Sequence, residues 1–309
     1  MKGYKDFTLD WNDVSIVNGH LRRAVKHSAR LRIAFHADVS MKRMHLIEIA
    51  DEDWCPRSIR HAVTDYCRFA TEKAYHPVVP LLARALRLTG ARHILDLGSG
   101  AAGPWLRLQP LLRESGVDVT VRLSDHNPNL EAFERARRLS SQSVSFHPEP
   151  VDAAHVPGEL SGFRTMFSAF HHLRPDQARA VLADAVARQE GIGLFECGDR
   201  SVLTLGGLLG TPVVVLLVTP FIGPFRWSRL FWTYVVPVLP LVLLFDVIVS
   251  WLRLYSEAEL RELTAGLDGY QWEIGTVRIK PLPNVITYLI GVPGENAAEQ
   301  PVGADALSA

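Results

Sequence analysis

The sequence predicts an α/β protein in three layers, a mostly parallel sheet with helices on both faces. Three observations carry this. Five short apolar runs alternate with helical stretches between residues 93 and 196. The first run ends in a glycine-rich turn, Leu97-Gly98-Ser99-Gly100-Ala101-Ala102-Gly103. Two strand-like runs near the end, Tyr270–Ile279 and Asn284–Val292, stand close enough to form a hairpin. Strands that alternate with helices make parallel sheets, and a closing hairpin turns the last strand antiparallel.

Residues 1–40 read as a basic arm. No acidic residue occurs from Val14 to Ala37, while Arg22, Arg23, Lys26, Arg30 and Arg32 do. A solvated arm is the plain reading and a surface-binding arm the sharper one. Met41 offers a second start, which would leave residues 1–40 outside the native chain. Residues 41–90 form a helical cap. Arg57–Val63 follows Pro56, and Pro80–Leu86 has helical spacing, with Pro77 and Pro80 breaking the two apart.

Residues 91–200 are the core. Strands are expected at His93–Leu97, Val119–Ser124, Ser143–His147, Arg164–Ser168 and Ile192–Glu196, with helices at 129–139 and 175–188. Residues 201–255 are an apolar insertion after the fifth strand. Residues 256–293 complete the core and open on a capping box, Ser256-x-x-Glu259. Residues 294–309 are small and polar, expected to be disordered.

Composition narrows the function. The 309 residues carry 33 basic and 33 acidic side chains, so no long-range attraction to nucleic acid is built in. Cys55, Cys67 and Cys197 are far apart and match no zinc or disulfide spacing. No metal is expected. The first twenty residues hold no apolar run of the secretory kind, and the cytoplasm is the expected compartment.

The glycine turn is the most chemical feature. Gly98, Gly100 and Gly103 let backbone approach a ligand closely, with Ser99 between them, and the next helix aims N–H groups at the same spot. The spacing also fits a dinucleotide fingerprint. Asp125, with His126 beside it, ends the second strand and suits a ribose diol in either class. Four features favour S-adenosylmethionine. Asp96 precedes the first glycine by two residues, where a carboxylate suits an ammonium, directly or through water, and not a pyrophosphate. Asp152-Ala153 follows the third strand, where an acidic side chain can accept from an adenine amine. Ser168-Ala169-Phe170-His171-His172 ends the fourth strand, where a sulfonium would be met. A closing hairpin replaces the second βαβ half of a dinucleotide fold.

These residues resemble the class I S-adenosylmethionine-dependent methyltransferases over roughly residues 45–292, most specifically at Asp96-Leu97-Gly98-Ser99-Gly100. Three stretches resemble a bacterial subgroup of unknown substrate: Glu48–Arg60, Phe167–Leu173 and Arg229–Tyr255. The resemblance implies a Rossmann-like sheet of seven strands, the last antiparallel. It also implies that Asp96 and the glycines hold the methionine part, Asp125 the ribose, and Asp152 with Ala153 the adenine. Ala101-Ala102 departs from it, because many members have a glycine there.

Methyl transfer needs a base only where the acceptor must lose a proton. His171 and His172 are the candidates, since histidine titrates near neutrality. Glu196, at the end of the fifth strand, is a third, or else a structural partner of Arg200. Asp246 lies in an apolar run and needs a partner, either Arg253 or a substrate group.

The insertion carries no charge from Ser201 to Phe225, then Arg226 and Arg229, then a second apolar run, Leu230–Phe245. Pro212, Pro220, Pro224, Pro237 and Pro240 interrupt it. Residues 202–251 are expected to form a lid over an apolar acceptor, buried by the core or by a second subunit. Dipping into one membrane leaflet and spanning as a hairpin are the alternatives. A small lipophilic acceptor, a membrane contact and a homodimer are the partners this allows. The competing functions are a lipid methyltransferase at a membrane, a protein or nucleic-acid methyltransferase, a nucleotide-dependent oxidoreductase, and a ligand-binding protein without turnover.

Overall fold

The computed structural model describes residues 42–140, 143–279 and 284–294. The basic arm 1–40, the tail beyond Gly294 and the hairpin link Lys280–Pro283 lie outside them.

Seven strands form one sheet: β1 His93–Asp96, β2 Thr120–Leu123, β3 Val144–Phe146, β4 Phe163–Phe167, β5 Ile192–Cys197, β6 Tyr270–Arg278 and β7 Val285–Pro293. Their order is β3-β2-β1-β4-β5-β7-β6. β1 to β5 pair in parallel, and β7 runs antiparallel to both β5 and β6. This is the sheet the resemblance implies, with the expected hairpin closing it. Strand order reverses between β1 and β4, so a crevice opens at their carboxyl ends, where ligands bind in open α/β sheets.

The helices are α1 Arg57–Thr71, α2 Val79–Thr89, α3 Trp105–Glu114, α4 Leu130–Leu139, α5 Pro175–Ala187, α6 Val202–Leu208, α7 Thr211–Val218, α8 Trp227–Leu230, α9 Leu239–Arg253 and α10 Glu257–Thr264. Local chemistry sets their starts. Asn129 accepts from the Ala132 N–H to begin α4, and Ser256 with Glu259 makes the expected capping box on α10. Alternation along β1 sends Ile94 into the core beneath α2 and α3, and Leu95 into the core beneath α5 and α10.

The insertion does not stand apart. Its Val215, Ile222, Leu239, Val242 and Leu243 share a third core with Cys55, Ile59, Ala62 and Tyr66 of the N-terminal cap. Burying an apolar side chain of this size contributes roughly 1.5–3 kcal/mol, so this core is a strong tether. The Arg229 guanidinium, 1% exposed, meets Asp65 of α1 at 2.7 Å. Arg226 joins the same carboxylate at 3.1 Å. These two arginines therefore do not stand as free charges at the tip. The prolines act as expected: Pro212 and Pro240 sit in the first turns of α7 and α9, and Pro220 lies in a 3₁₀ turn, Thr219–Phe221.

Candidate functional site

The glycine loop leaves β1 and doubles back beneath its own helix. The N–H groups of Ala102 and Gly103 both donate to the Ser99 carbonyl, at 2.8 and 2.9 Å, and the Ser99 N–H donates to the Ser124 carbonyl at 3.0 Å. Gly98 has φ +66°, and a Cβ there would lie 2.9 Å from the Ala169 Cβ. Gly100 has φ +50°, yet a Cβ there would meet nothing within 4 Å among the described residues. One glycine is required by packing; the other faces open space that a ligand can enter. Ala102, where the resemblance leads one to expect glycine, holds φ 81°. A left-handed residue with a Cβ costs roughly 1–2 kcal/mol, so the loop keeps its shape at a price in stability.

Asp125 braces this loop from the end of β2. Its Oδ2 accepts from the Gly100 N–H at 2.7 Å and its Oδ1 from the Asn127 N–H at 2.8 Å. The Val151 N–H donates to the Asp125 carbonyl at 2.9 Å, which sets the β3 loop alongside. There Asp152 accepts from the Ala154 N–H at 2.9 Å and lies 2.9 Å from His155 Nδ1. The His155 contact, followed by the Ala154 bond, lowers the Asp152 pKa. Ala153 is half-buried beside it, and His126 is exposed next to Asp125. Asp125, His126, Asp152, Ala153 and the glycines thus follow one edge of the sheet.

Asp96, at the end of β1, is held from within the protein. It is 1% exposed, and its oxygens accept from Thr165 Oγ1 at 2.7 Å and Ser99 Oγ at 2.6 Å. Burial pushes its pKa up to about 6 against the pull of those hydroxyls. In this conformation it ties β1, β4 and the loop together, and leaves the loop main chain to meet a ligand. Ser168, at φ 46°, shares a hydrogen bond of 2.5 Å between its hydroxyl and that of Tyr75. That bond and the left-handed turn aim the chain toward the histidines.

Across the crevice, His171 is 5% exposed and Glu196 6%. His171 Nδ1 lies 2.7 Å from Glu196 Oε2, while Glu196 Oε1 accepts from the Phe170 N–H at 2.8 Å. A carboxylate only accepts, so in the neutral ring Nδ1 carries the proton and Nε2 is the acceptor nitrogen. Nε2 is buried with no hydrogen-bond partner among the described residues and lies 3.8 Å from Glu48 Oε1. The alternative pairing of Glu196 with Arg200 does not occur, because Arg200 is turned to Glu259.

Asp246 does not pair with Arg253 either. It accepts from the N–H groups of Ile49 at 2.7 Å and Ala50 at 3.1 Å, which begin a short 3₁₀ turn, Ile49–Asp51. Burial pushes its pKa up to about 6. Arg253 instead donates to Glu48 Oε1 at 3.0 Å and to the Leu46 carbonyl at 2.6 Å, and Ser250 donates to Glu48 Oε1 at 2.8 Å. Asp246, Ser250 and Arg253 are spaced i, i+4, i+7, so one face of α9 clamps the segment Leu46–Ala50 against the site.

His172 has an open side, with its side chain 36% exposed. Its Nδ1 lies 3.2 Å from Asp51 Oδ2 and 3.2 Å from Arg253 Nη1. Burial alone would lower its pKa, but Asp51 and Glu48 outweigh that and raise it. Among the described residues, Glu48, His171 and His172 could gather on a metal ion, their ligand atoms lying within 4.8 Å of one another. The Arg253 guanidinium already supplies the positive charge there. Glu48 and Asp51 escaped the sequence reading. The acidic run around them was visible, but only the fold carries it 205 positions along the chain to Arg253.

No protein-family model matches the chain, and no curated protein matches it. Solved structures similar to it include a protein of Nostoc punctiforme assigned as an O-methyltransferase, at 12% identity, 77% of this chain, 61% of that one and a TM-score of 0.43. An O-methyltransferase family protein of Burkholderia thailandensis is 15% identical over 75% of this chain and 59% of its own, with a TM-score of 0.45. The magnesium protoporphyrin IX methyltransferase of Synechocystis, with bound S-adenosylmethionine, is 13% identical over 78% and 87%, with a TM-score of 0.40. The chain spans about three fifths of the first two structures.

Proposed function

We propose that the chain is an S-adenosylmethionine-dependent methyltransferase that acts on a small lipophilic acceptor and releases S-adenosylhomocysteine. One observation carries the reading. A loop with open space over Gly100, braced by Asp125, and the Glu196–His171 pair both stand at the carboxyl ends of the adjacent parallel strands β1, β4 and β5. The donor would supply a sulfonium methyl. Gly98, Gly100 and Gly103 would cradle its methionine part, with Ser99 and buried Asp96 shaping the loop. Asp125 and His126 would face its ribose, and Asp152 with Ala153 its adenine. The antiparallel β7, in place of a second βαβ half, argues against a dinucleotide oxidoreductase.

His171 is the proton acceptor in this reading. Its Nε2 takes the proton of an acceptor hydroxyl or amine as the new bond to carbon forms, and Glu196 holds the ring and offsets the imidazolium charge. Such a base contributes about 10²–10⁴-fold. His172, Asp51 and Arg253 form a polar cluster beside the pair, and α9 of the insertion packs on the turn Phe170–His172. A second reading, a lipid acceptor reached at a membrane, is favoured by the large hydrophobics left exposed between Val202 and Phe245. Incubation with labelled S-adenosylmethionine and cell extracts tests the enzyme. Label in an organic-soluble product supports it; no labelled product from any extract leaves only a ligand-binding protein.

A further inference from the structure

Between residues 202 and 252 only three side chains are charged, Arg226, Arg229 and Asp246. Arg229 and Asp246 are buried, and the part-exposed Arg226 is paired with Asp65 and Glu131. Arg229 and Arg226 meet Asp65, and Asp246 meets the Ile49 and Ala50 N–H groups. What faces outward is apolar. Of the 24 large hydrophobics exposed among the described residues, 16 lie from Val202 to Phe245. Phe221 is 79% exposed, Trp227 77% and Phe225 60%. Soluble monomers rarely expose contiguous apolar patches beyond about 300–600 Å².

The main chain at this tip is as self-sufficient as its side chains. Three consecutive carbonyls, of Ile222, Gly223 and Pro224, accept from buried or half-buried arginines. Arg229 reaches Ile222 and Pro224, and Arg68 reaches Gly223. A loop in water does not need such partners, because water provides them. A loop in hydrocarbon does, because each unsatisfied polar group there costs several kcal/mol.

We propose that this face docks the protein on a lipid bilayer, entering one leaflet without crossing it. The inference deepens the second reading above and rests on it for its meaning, although docking can be read without any methyl transfer. Charge complementarity selects the occupant: an outward face with its charges buried or paired, and its tip carbonyls satisfied from within, matches hydrocarbon. No single helix among the described residues is long and apolar enough to cross. The two apolar pairs, Val202–Leu208 with Thr211–Phe221 and Trp227–Val235 with Leu239–Arg253, bend by 40° and 91°. α9 extends only about 22 Å at 1.5 Å per residue, against roughly 30 Å of bilayer core. Trp227 and Tyr234 bring amphipathic rings of the kind that settle at headgroup depth. The segment that α9 clamps beside His172 adds exposed Leu46 and Ile47.

Flotation of the purified full chain with vesicles tests this. One set is phosphatidylcholine, the other phosphatidylcholine with phosphatidylglycerol, each at low and high salt. The wild type is expected to float with both sets and to stay bound at high salt. The triple substitution Phe221→Ser, Phe225→Ser and Trp227→Ser is expected to cut the bound fraction at least about tenfold. It should keep its melting temperature, because these side chains touch solvent. A control, Leu88→Ser with Leu139→Ser on the exposed faces of α2 and α4, should float like wild type. Three results would each overturn the proposal: no flotation, equal flotation of the triple variant, or binding confined to anionic vesicles and lost in salt. A dimer in sedimentation equilibrium without vesicle binding would assign the face to a second copy. Vesicle docking with no methyl transfer would leave the surface standing and refute only the enzyme.

Discussion

The imidazole of His171 and the carboxylate of Glu196 meet at 2.7 Å, with both residues buried and the second carboxylate oxygen held by the Phe170 N–H. The contact fixes the ring and, when the ring is neutral, its tautomer, leaving Nε2 without a partner among the described residues. His171→Asn is expected to lower kcat about 100-fold or more. Glu196→Gln should cost less, because the ring stays while its orientation and charge support weaken. Affinity for S-adenosylhomocysteine should be unchanged in both, measured by calorimetry beside steady-state kinetics. Equal kcat in wild type and His171→Asn would remove the base from the mechanism.

Gly98 and Gly100 separate packing from ligand binding. Gly98→Ala forces a Cβ to within 2.9 Å of the Ala169 Cβ, and should destabilise the fold as well as the loop. Gly100→Ala meets no neighbour within 4 Å among the described residues. It should cost only about 1 kcal/mol of stability, from its left-handed backbone, yet weaken S-adenosylhomocysteine by tenfold or more, because its Cβ occupies the ligand's space. Thermal melts and calorimetry on the two variants check this; full binding by a folded Gly100→Ala would contradict it.

Asp246 gives the stability a pH dependence of defined sign. Its pKa rises from 3.8 unfolded to about 6 folded. The folded state therefore binds the proton more tightly, and this carboxyl costs stability as pH rises from about 4 to 6. The cost is then constant above pH 6, on the order of 3 kcal/mol for two pKa units. Asp246→Asn removes that titration while keeping one acceptor for the Ile49 and Ala50 N–H groups. Relative to wild type, its melting temperature should improve progressively between pH 4 and 6.5. A difference that stays flat with pH would contradict the assignment.

The pair Arg229–Asp65 fastens the insertion to α1. Arg229→Met leaves Asp65 with only the half-exposed Arg226 and releases two tip carbonyls, so it should cost about 3–5 kcal/mol. Asp65→Leu added to it should recover part of the loss. Chemical denaturation of the single and double variants measures the recovery; none would mean that the pair does not act as a unit.

The strands, the glycine loop and the closing hairpin were legible in the sequence because their signals are local. Alternating apolar runs, turn glycines and a capping box depend on neighbours a few residues away. The partners of Asp246, Glu196 and Arg253 were not legible. Each is fixed by packing across the whole chain, as Arg253 is to Glu48, and a charge in an apolar run announces only that it needs a partner. The arginines of the insertion follow the same rule: the sequence shows them between two apolar runs, and Asp65, on a helix 161 and 164 positions away, pairs with them.

The central claim is that the loop Gly98–Gly103, braced by Asp125, binds the methyl donor. Calorimetric titration of the wild type and Asp125→Ala with S-adenosylhomocysteine tests it most directly. Saturable binding by the wild type, weakened at least about tenfold by losing the carboxylate, is the expected result. Absence of binding by the wild type, or equal affinity in a folded Asp125→Ala, would contradict it.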